Sequence, residues 1–339
     1  MKYICIAILC GIATLQSFSQ EANTNLWTSN RPDGHAPISV MADHTHHKNE
    51  FMFSYRYMTM DMRELRQETN DASINNAFTN YRVAPQDMVM NMHMLGFMYA
   101  PSNKITVMAM ANYLENDMNL QMLNGNQFST NSSGFGDISV SALYSILNKN
   151  RKAFHAQLGV SIPTGSIENK DATPMSMGNK VQLPYPMQTG TGSFRVKLGL
   201  TYTGQGDKFS WGNQLTGSLN INDNDQEYKF GNKYSLNNWF AAKAGDNLSV
   251  SVRIEGIIVD EIKGKSSLLN PMMVTTADTN NSGGTYINSG LGLNYLVLNG
   301  SLKGLRFATE LSTPLYQDLN GIQLKQSYNL TFGVQYTIH

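Results

Sequence analysis

The chain has 339 residues, of which 15% are charged, and its 25 basic residues balance its 25 acidic ones. This balance indicates no nucleic-acid partner, and the length alone leaves the number of domains open. Both cysteines, Cys5 and Cys10, lie near the start of the chain. The remainder therefore has neither a disulfide framework nor a catalytic thiol.

Residues 1–19 have the pattern of a secretory signal peptide. Lys2 precedes an apolar stretch over residues 3–15, and small residues precede the expected cleavage point. Lipidation of Cys10 is a less favoured alternative, because Leu9 lies where a lipoprotein signal requires a small residue. We therefore expect the chain to be exported.

Residues 20–49 form an N-terminal segment rich in histidine. Imidazoles at this density suit copper or zinc, although the segment lacks the paired cysteines of a zinc motif. A solvated tail of biased composition explains the same residues without a metal. The segment is predicted to lie in the periplasm or to plug a barrel in part. Its candidate metal ligands are His35, Met41, His44, His46 and His47.

Residues 50–339 consist of short segments in which apolar and polar residues alternate. This period of two places one strand face against lipid and the other against a polar interior. No segment reaches the roughly 18 consecutive apolar residues of a spanning helix, so a membrane-spanning form has to be a barrel. The alternating segments are 51–62, 88–99, 105–113, 138–146, 154–162, 194–202, 209–219, 234–242, 248–258, 287–297, 305–311 and 328–338.

The connections between these segments alternate in length. Outer-membrane barrels have short periplasmic turns and long extracellular loops, so we predict an all-β, transmembrane antiparallel barrel of about 12 strands in the outer membrane. A secreted all-β protein is the alternative, but a sandwich does not require alternating loop lengths. The short connections are 100–104, 147–151, 204–208, 243–247 and 299–304, and the long ones are 63–86, 115–135, 163–192, 222–232, 260–284 and 312–323.

Two residue types support this topology. Proline cannot donate to a strand ladder, and all ten prolines fall outside the predicted strands. Aromatic residues gather at the predicted periplasmic ends, as an interfacial girdle does, although strands are enriched in them anyway. These residues are Phe51, Phe97, Tyr99, Tyr144, Phe154, Tyr202, Phe209, Trp211, Phe240, Tyr295, Phe307 and Tyr336.

Methionine is concentrated in the first three predicted strands. Thioether sulfurs suit Cu(I) or Ag(I), and Met58, Met60 and Met62 are the candidate ligands there. The simpler explanation is that methionine is a flexible apolar filler, and we favour it. The facing of the second strand is ambiguous, because Asn91 and His93 share a face with apolar residues.

Seven charged residues fall on the predicted interior face of the barrel. Such residues would be costly in lipid and should therefore face the lumen. They could tune solute selectivity or pair across neighbouring strands. No nucleophile, base and acid stand together, so we predict that the chain is not an enzyme. The lumen residues are Arg56, Arg195, Lys197, Arg253, Glu255, Arg306 and Glu310.

The sequence resembles the MetA-pathway phenol-degradation family of outer-membrane proteins, in a Met/His-rich transporter branch. The resemblance implies a barrel in the outer membrane of a Gram-negative bacterium, passage of small organic compounds and, for Met/His-rich members, a link to copper or heavy metals. It is carried by residues 31–58 (RPDGHAPISVMADHTHHKNEFMFSYRYM), 92–104 (MHMLGFMYAPSNK), 132–144 (SSGFGDISVSALY), 159–167 (GVSIPTGSI) and 183–192 (LPYPMQTGTG).

The leading hypothesis is an outer-membrane channel or transporter for small hydrophobic or metal-containing solutes. One alternative is a periplasm-facing copper or heavy-metal-binding protein of the outer membrane, and the other is a secreted all-β binding protein. The expected partners are outer-membrane lipid, the solute and the barrel assembly machinery. No cofactor is predicted, with Cu(I) or Ag(I) as the candidate ligand or substrate.

Overall fold

A computed structural model describes residues 26–338. The predicted signal peptide, both cysteines and His339 lie outside the described residues. No helix within the described part is long and apolar enough to cross a membrane. In chain order the elements are β1 (Phe51–Glu68), β2 (Asn70–Ala72), α1 (Ile74–Phe78), β3 (Val83–Ser102), β4 (Ile105–Met122), β5 (Gln127–Phe135), β6 (Ile138–Lys149), β7 (Lys152–Ile162), β8 (Lys170–Ala172), β9 (Lys180–Gln182), β10 (Arg195–Gln205), β11 (Phe209–Asn220), β12 (Tyr228–Lys229), β13 (Lys233–Lys243), β14 (Leu248–Val259), β15 (Lys263–Gly264), β16 (Gly284–Leu296) and β17 (Leu305–Ile338), with 3-10 helices at Pro174–Ser176, Tyr185–Met187 and Thr275–Ala277.

Within residues 26–338, eleven of these elements form the wall of a closed antiparallel barrel. Their order around the wall is β1, β3, β4, β6, β7, β10, β11, β13, β14, β16 and β17, and β17 pairs back with β1. β17 takes two positions, because residues 306–319 pair with β16 and residues 322–338 pair with β1. Gln317 and Gln326 hydrogen-bond across its two halves. The wall thus has twelve positions, which confirms the prediction of about 12 strands and excludes a two-sheet sandwich.

The period-two pattern sorts side chains between lipid and lumen. In β6, Ile138, Val140 and Tyr144 are exposed on the outer face, whereas Ser139 and Ser141 are buried inside. In a soluble sheet the apolar side chains would face the interior. Here they face outwards, because the outer face of the barrel contacts lipid instead of water. The same alternation continues around the wall and gives the barrel an apolar outer belt.

The two ends of the barrel differ as the sequence predicts. The turns at residues 103–104, 150–151 and 206–208 are short and lie at the same end as the start of β1, whereas the long connections lie at the opposite end. At the short-turn end Phe51 stacks on Tyr99, with 4.5 Å between ring centroids. Phe209 stacks on Phe240 there at 5.6 Å. Short turns therefore mark the periplasmic side, and long loops the extracellular side.

Four wall strands extend further towards the extracellular side than predicted, among them β3, which begins at Val83. β1 reaches Glu68, β4 reaches Met122, and β17 continues through residues 312–323. Parts of three predicted long loops are therefore strand. The 18 residues of β1 span about 60 Å at ~3.3 Å per residue, roughly twice the hydrocarbon core. Its outer part lies in water, where both faces can be polar and alternation disappears.

The prediction that every proline lies outside the strands was wrong at three positions. Pro85 and Pro101 lie in β3, and Pro314 lies in β17. Each is beside an irregularity of the pairing, next to Asp87, next to Ser102 and opposite Asn288 respectively. A bulge tolerates proline because the ladder does not need its missing N–H there.

Candidate functional site

Residues 26–49, here called the lumen segment, run inside the barrel before the chain enters β1. At the periplasmic end the amide of Trp27 donates to Asn148, and the amide of Thr28 donates to Gln205, both at 3.1 Å. Farther in, the amide of Ser39 donates to Glu310 at 3.1 Å. The chain then returns to the periplasmic turns, where the amide of Lys48 donates to Asn103 at 2.8 Å. The segment therefore has an inward arm of residues 26–36 and a returning arm of residues 41–49, joined by an inner tip of residues 37–40, where the amide of Val40 donates to the carbonyl of Pro37 at 2.9 Å.

Side chains of the wall supply the hydrogen bonds that this segment lacks internally. Buried carbonyls without strand or helix partners need donors from elsewhere. Arg306, only 2% exposed, donates to the carbonyls of Pro32 at 2.9 Å and of Ser29 and Arg31 at 2.8 Å. On the opposite wall Gln214 donates to the carbonyl of Met41 at 2.8 Å. The segment is thereby held from both sides.

A charged network joins the wall to the tip of the segment. The Nε of Arg253 lies 2.6 Å from Glu310, and its guanidinium donates to Glu255 at 2.7 Å. Glu310 also accepts the amide of Ser39. The other predicted lumen residues likewise lie on the inner face: Arg56 is buried, and Arg195 and Lys197 line a cavity. A role of these seven charged residues in solute selectivity stays a prediction.

On the extracellular side of the tip lies a cavity of about 420 Å³, here called the lumen chamber. Thioethers line one side and cationic groups line the other. Arg195 pairs with Asp137 at 3.1 Å, whereas Lys197 makes no ion pair or hydrogen bond with any residue from 26 to 338. The chamber is lined by, among others, Met41, Met92, Met94, Met108, Met110, Arg195, Lys197, Lys233 and Glu255.

A second cavity, of about 350 Å³, lies on the extracellular side and is here called the outer pocket. The long connections at residues 163–194 and 260–283 cover it. On the extracellular side of the lumen chamber along β3 and β4 lies a buried apolar cluster, here called the methionine closure, which shares six residues with the lining of the outer pocket. It consists of Val83, Met88, Met118, Leu120, Leu183, Met187, Val274 and Ala277. The outer pocket is lined in part by Met118, Leu120, Met122, Phe128, Leu183 and Met273.

The pairing of β1 with β3 resolves the ambiguous facing of the second strand. Met58, Met60 and Met62 stand opposite Met92, Met90 and Met88 respectively. The intervening residues face outwards, where the hydroxyl of Tyr55 bonds His93 at 2.8 Å and that of Tyr57 donates to Asn91 at 2.9 Å. The methionines thus form an interior ladder. Met62 packs on the methionine closure, and the sulfur of Met58 accepts from Asn329 at 3.4 Å.

Three of the predicted histidines meet inside the barrel. The ring centroids of His35 and His44 are 4.1 Å apart, and those of His44 and His46 are 4.8 Å apart. All three side chains are buried, whereas His47 is exposed and Met41 lines the lumen chamber. The structure therefore brings together part of the predicted ligand set and leaves the methionines of β1 on the wall.

Each of these imidazoles has an oxygen partner at its Nδ1 atom. His35 contacts Gln335 at 3.1 Å, and His46 contacts Glu50 at 3.3 Å. His44 contacts Asp43 at 2.8 Å. Sequence reasoning missed these partners: Asp43 could have been suspected because it adjoins His44, but Gln335 is distant in the sequence.

Burial determines the charge of this cluster. Burial, reinforced by the positive charge of Arg306, holds the pKa of His35 well below its ordinary value. Burial also lowers the pKa of His46, although the hydrogen bond with Glu50 opposes the shift. Burial opposes ionisation of Asp43, but His44, His35 and the amide of Ala36 together outweigh burial and hold the pKa of this carboxyl far below its ordinary value. Two neutral imidazoles therefore stand beside a carboxylate at neutral pH.

Residues 73–326 match the family described as "Putative MetA-pathway of phenol degradation". The chain belongs to this family. The match covers most of the barrel, and it confirms the resemblance noted in the sequence. No curated protein is significantly similar to the chain.

A solved outer-membrane channel shares the fold of this family member, and other solved barrels resemble it more distantly. The "COG4313 outer membrane channel" of Pseudomonas putida F1 is 13% identical, with a TM-score of 0.60 over 88% of this chain and 98% of that one. A FadL homologue of Pseudomonas aeruginosa is 10% identical, with a TM-score of 0.42 over 86% of this chain and 91% of that one. The TodX monoaromatic hydrocarbon channel is 10% identical, with a TM-score of 0.46 over 88% of this chain and 92% of that one. The first likeness, with the closed barrel and its apolar belt, places this protein in the outer membrane.

Proposed function

We propose that this family member is a channel for small solutes that combine an apolar body with a negative charge, and that the state described is closed. The observation that carries the proposal is the succession of outer pocket, methionine closure, lumen chamber and lumen segment along the barrel. A solute crossing from outside would meet them in that order. The lumen segment is the last obstacle before the periplasm.

The outer pocket favours an apolar solute. Its lining is mostly thioether, aliphatic and aromatic, and its volume lies at the lower end of the range for small-molecule sites. Burying a single aromatic ring there removes apolar surface from water at about 25 cal/mol per Å². The family description names phenol degradation, which agrees with a small aromatic solute.

The lumen chamber favours a negative charge on the same solute. Lys197 and Lys233 both line it, and neither has an ion-pair partner among the described residues. A cation beside apolar walls attracts an anion more strongly than it does in open water. The methionines on the facing wall can adapt to an apolar body of variable shape.

Uptake into liposomes tests the proposal. The reconstituted full chain should pass benzoate faster than neutral benzyl alcohol, and benzylamine slowest. Lys197→Gln should reduce the benzoate preference about three- to tenfold, since an ion pair that is partly exposed to water is worth about 1 kcal/mol. Lys149→Gln is the control, because Lys149 is exposed at a periplasmic turn. Absence of uptake for all three solutes, or an unchanged preference in Lys197→Gln, would refute it.

Two further expectations accompany this proposal. A barrel of this architecture should be inserted into the membrane by the barrel assembly machinery. The prediction that the chain is not an enzyme stays a prediction.

A further inference from the structure

The histidines of the lumen segment come from both of its arms. His35 lies on the inward arm, whereas His44 and His46 lie on the returning arm. The ring of His44 stands between the other two. His35, Asp43 and His44 each offer a possible ligand atom, and these atoms all lie within 4.8 Å of one another. The three-ring cluster is therefore a product of the fold rather than of local sequence spacing.

The oxygen partners orient the rings in a common way. The carboxylates of Asp43 and Glu50 accept hydrogen bonds from the Nδ1 atoms of His44 and His46. Gln335 accepts from His35 in the same manner. The Nε2 atoms are therefore the ring nitrogens left to bind a ligand. Metal-binding histidines are typically arranged in this way, with the second ring nitrogen donating to a carboxylate or carbonyl oxygen.

Two of these Nε2 atoms have no partner. Those of His44 and His46 are buried and make no hydrogen bond to any residue from 26 to 338. The two side chains are 2% and 4% exposed. Native proteins rarely leave a buried polar atom without a partner, and such an atom calls for an explanation, for instance an ion. Two in one cluster, with their lone pairs available, indicate a missing ligand.

We infer that His35, His44 and His46 bind one divalent first-row transition ion, such as Zn²⁺ or Cu²⁺, through their Nε2 atoms. Imidazole suits these ions, whereas Cu(I) and Ag(I) prefer thioether sulfur. A tetrahedral ion with bonds of about 2.0–2.1 Å needs its donor atoms roughly 3.4 Å apart, and the ring of His44 lies 4.1 Å from that of His35 and 4.8 Å from that of His46. Asp43 orients His44, and a fourth position stays open for water.

Such an ion would join the two arms of the lumen segment. The arms otherwise depend on hydrogen bonds to the wall and on one bond between them, from the amide of Ala36 to Asp43 at 2.9 Å. Three bonds to one metal would cross-link them inside the barrel. This role is separate from solute passage, so the site can exist whether or not the protein is a channel.

Metal titration of the full-length protein in detergent tests the inference. After treatment with a chelator, the protein should bind one equivalent of Zn²⁺ or Cu²⁺, and Cu²⁺ should show nitrogen hyperfine coupling in its electron paramagnetic resonance spectrum. His35→Ala and His44→Ala should each weaken binding at least tenfold and reduce that coupling. His47→Ala is the matched control, because His47 is exposed within the same stretch of chain. Unheated gel electrophoresis would verify that each variant remains a folded barrel.

Three outcomes would overturn the site. The first is the absence of any stoichiometric binding by the wild-type chain. The second is unchanged binding in His35→Ala, which would indicate local chelation by the returning arm alone. The third is preferential binding of Ag⁺ that survives His44→Ala and is lost in Met41→Leu.

Discussion

Two regions of opposite chemistry fill parts of the barrel lumen. On the periplasmic side the lumen segment is held by directed polar contacts, among them the three carbonyls bound by Arg306. On the extracellular side the methionine closure is held by apolar packing around Met88 and Met118. Directed hydrogen bonds specify one arrangement, whereas thioethers repack around many shapes. We therefore expect the lumen segment to hold one specific arrangement, as a lock on the inner side. We expect the methionine closure to adapt to solutes of different shape, as a filter on the outer side.

This difference has an energetic side. A buried carbonyl that loses its donor retains the full cost of desolvation, about 1–3 kcal/mol. A methionine cluster that loses one side chain can refill part of the void. Damage to the inner lock should therefore have larger consequences than damage to the outer filter.

The largest effect is expected from Arg306→Ala, which removes the donor of three buried carbonyls. Losing a charged donor costs about 1.5–3 kcal/mol, so the open population should rise at least about tenfold. Single-channel recording in planar bilayers would measure this open population as the open probability. Arg151→Ala is the control, because Arg151 lies at the periplasmic turns and pairs with exposed Asp207. An unchanged open probability in Arg306→Ala would remove the basis for calling the lumen segment a lock.

A smaller effect is expected from Met118→Ala in the methionine closure. The substitution widens the passage between outer pocket and lumen chamber, and solute uptake should rise a few-fold. Protease sensitivity of residues 163–194 should rise with it, because Leu183 and Met187 pack on the same cluster. Met118→Leu conserves volume and should change both readouts little. Equal uptake by the alanine and leucine variants would contradict a filter at this position.

The smallest effect is expected on the outer face, away from both closures. Tyr55→Phe removes the 2.8 Å hydrogen bond to His93 and should lower the free energy of unfolding by about 1 kcal/mol, measured by urea titration in lipid vesicles. Conductance should not change. Tyr144→Phe is the control, because the Tyr144 hydroxyl has no hydrogen-bond partner among residues 26–338. A conductance change in Tyr55→Phe would show that gating extends to the outer wall.

Much of the barrel could be predicted from the sequence because its signal is local. Residues 328–338 alternate strictly, and residues 138–146 do so except at Leu143, since each residue there faces either lipid or lumen. Alternation did not predict the strands correctly where they leave the lipid or contain a bulge. The outer part of β1, near Arg63 and Glu64, pairs as strand but lies beyond the lipid, and Pro314 is tolerated at a bulge of β17.

The candidate site was only partly predictable. The histidines stood out by density, and His35, His44 and His46 do meet. The methionines of β1 were assigned to the same ligand set, yet they line the wall opposite β3. No periodic pattern in the lumen segment indicates which side chains turn towards each other, because the segment has no regular secondary structure.

By itself the sequence determined the barrel, its approximate strand number and its orientation in the membrane. These follow from alternation and loop length, which depend on neighbours a few residues away. Only the tertiary structure decided that residues 26–49 fill the lumen, that Arg306 holds them, and that Gln335 faces His35. Those contacts join residues far apart in sequence, and their partners are selected by closure of the barrel around the segment.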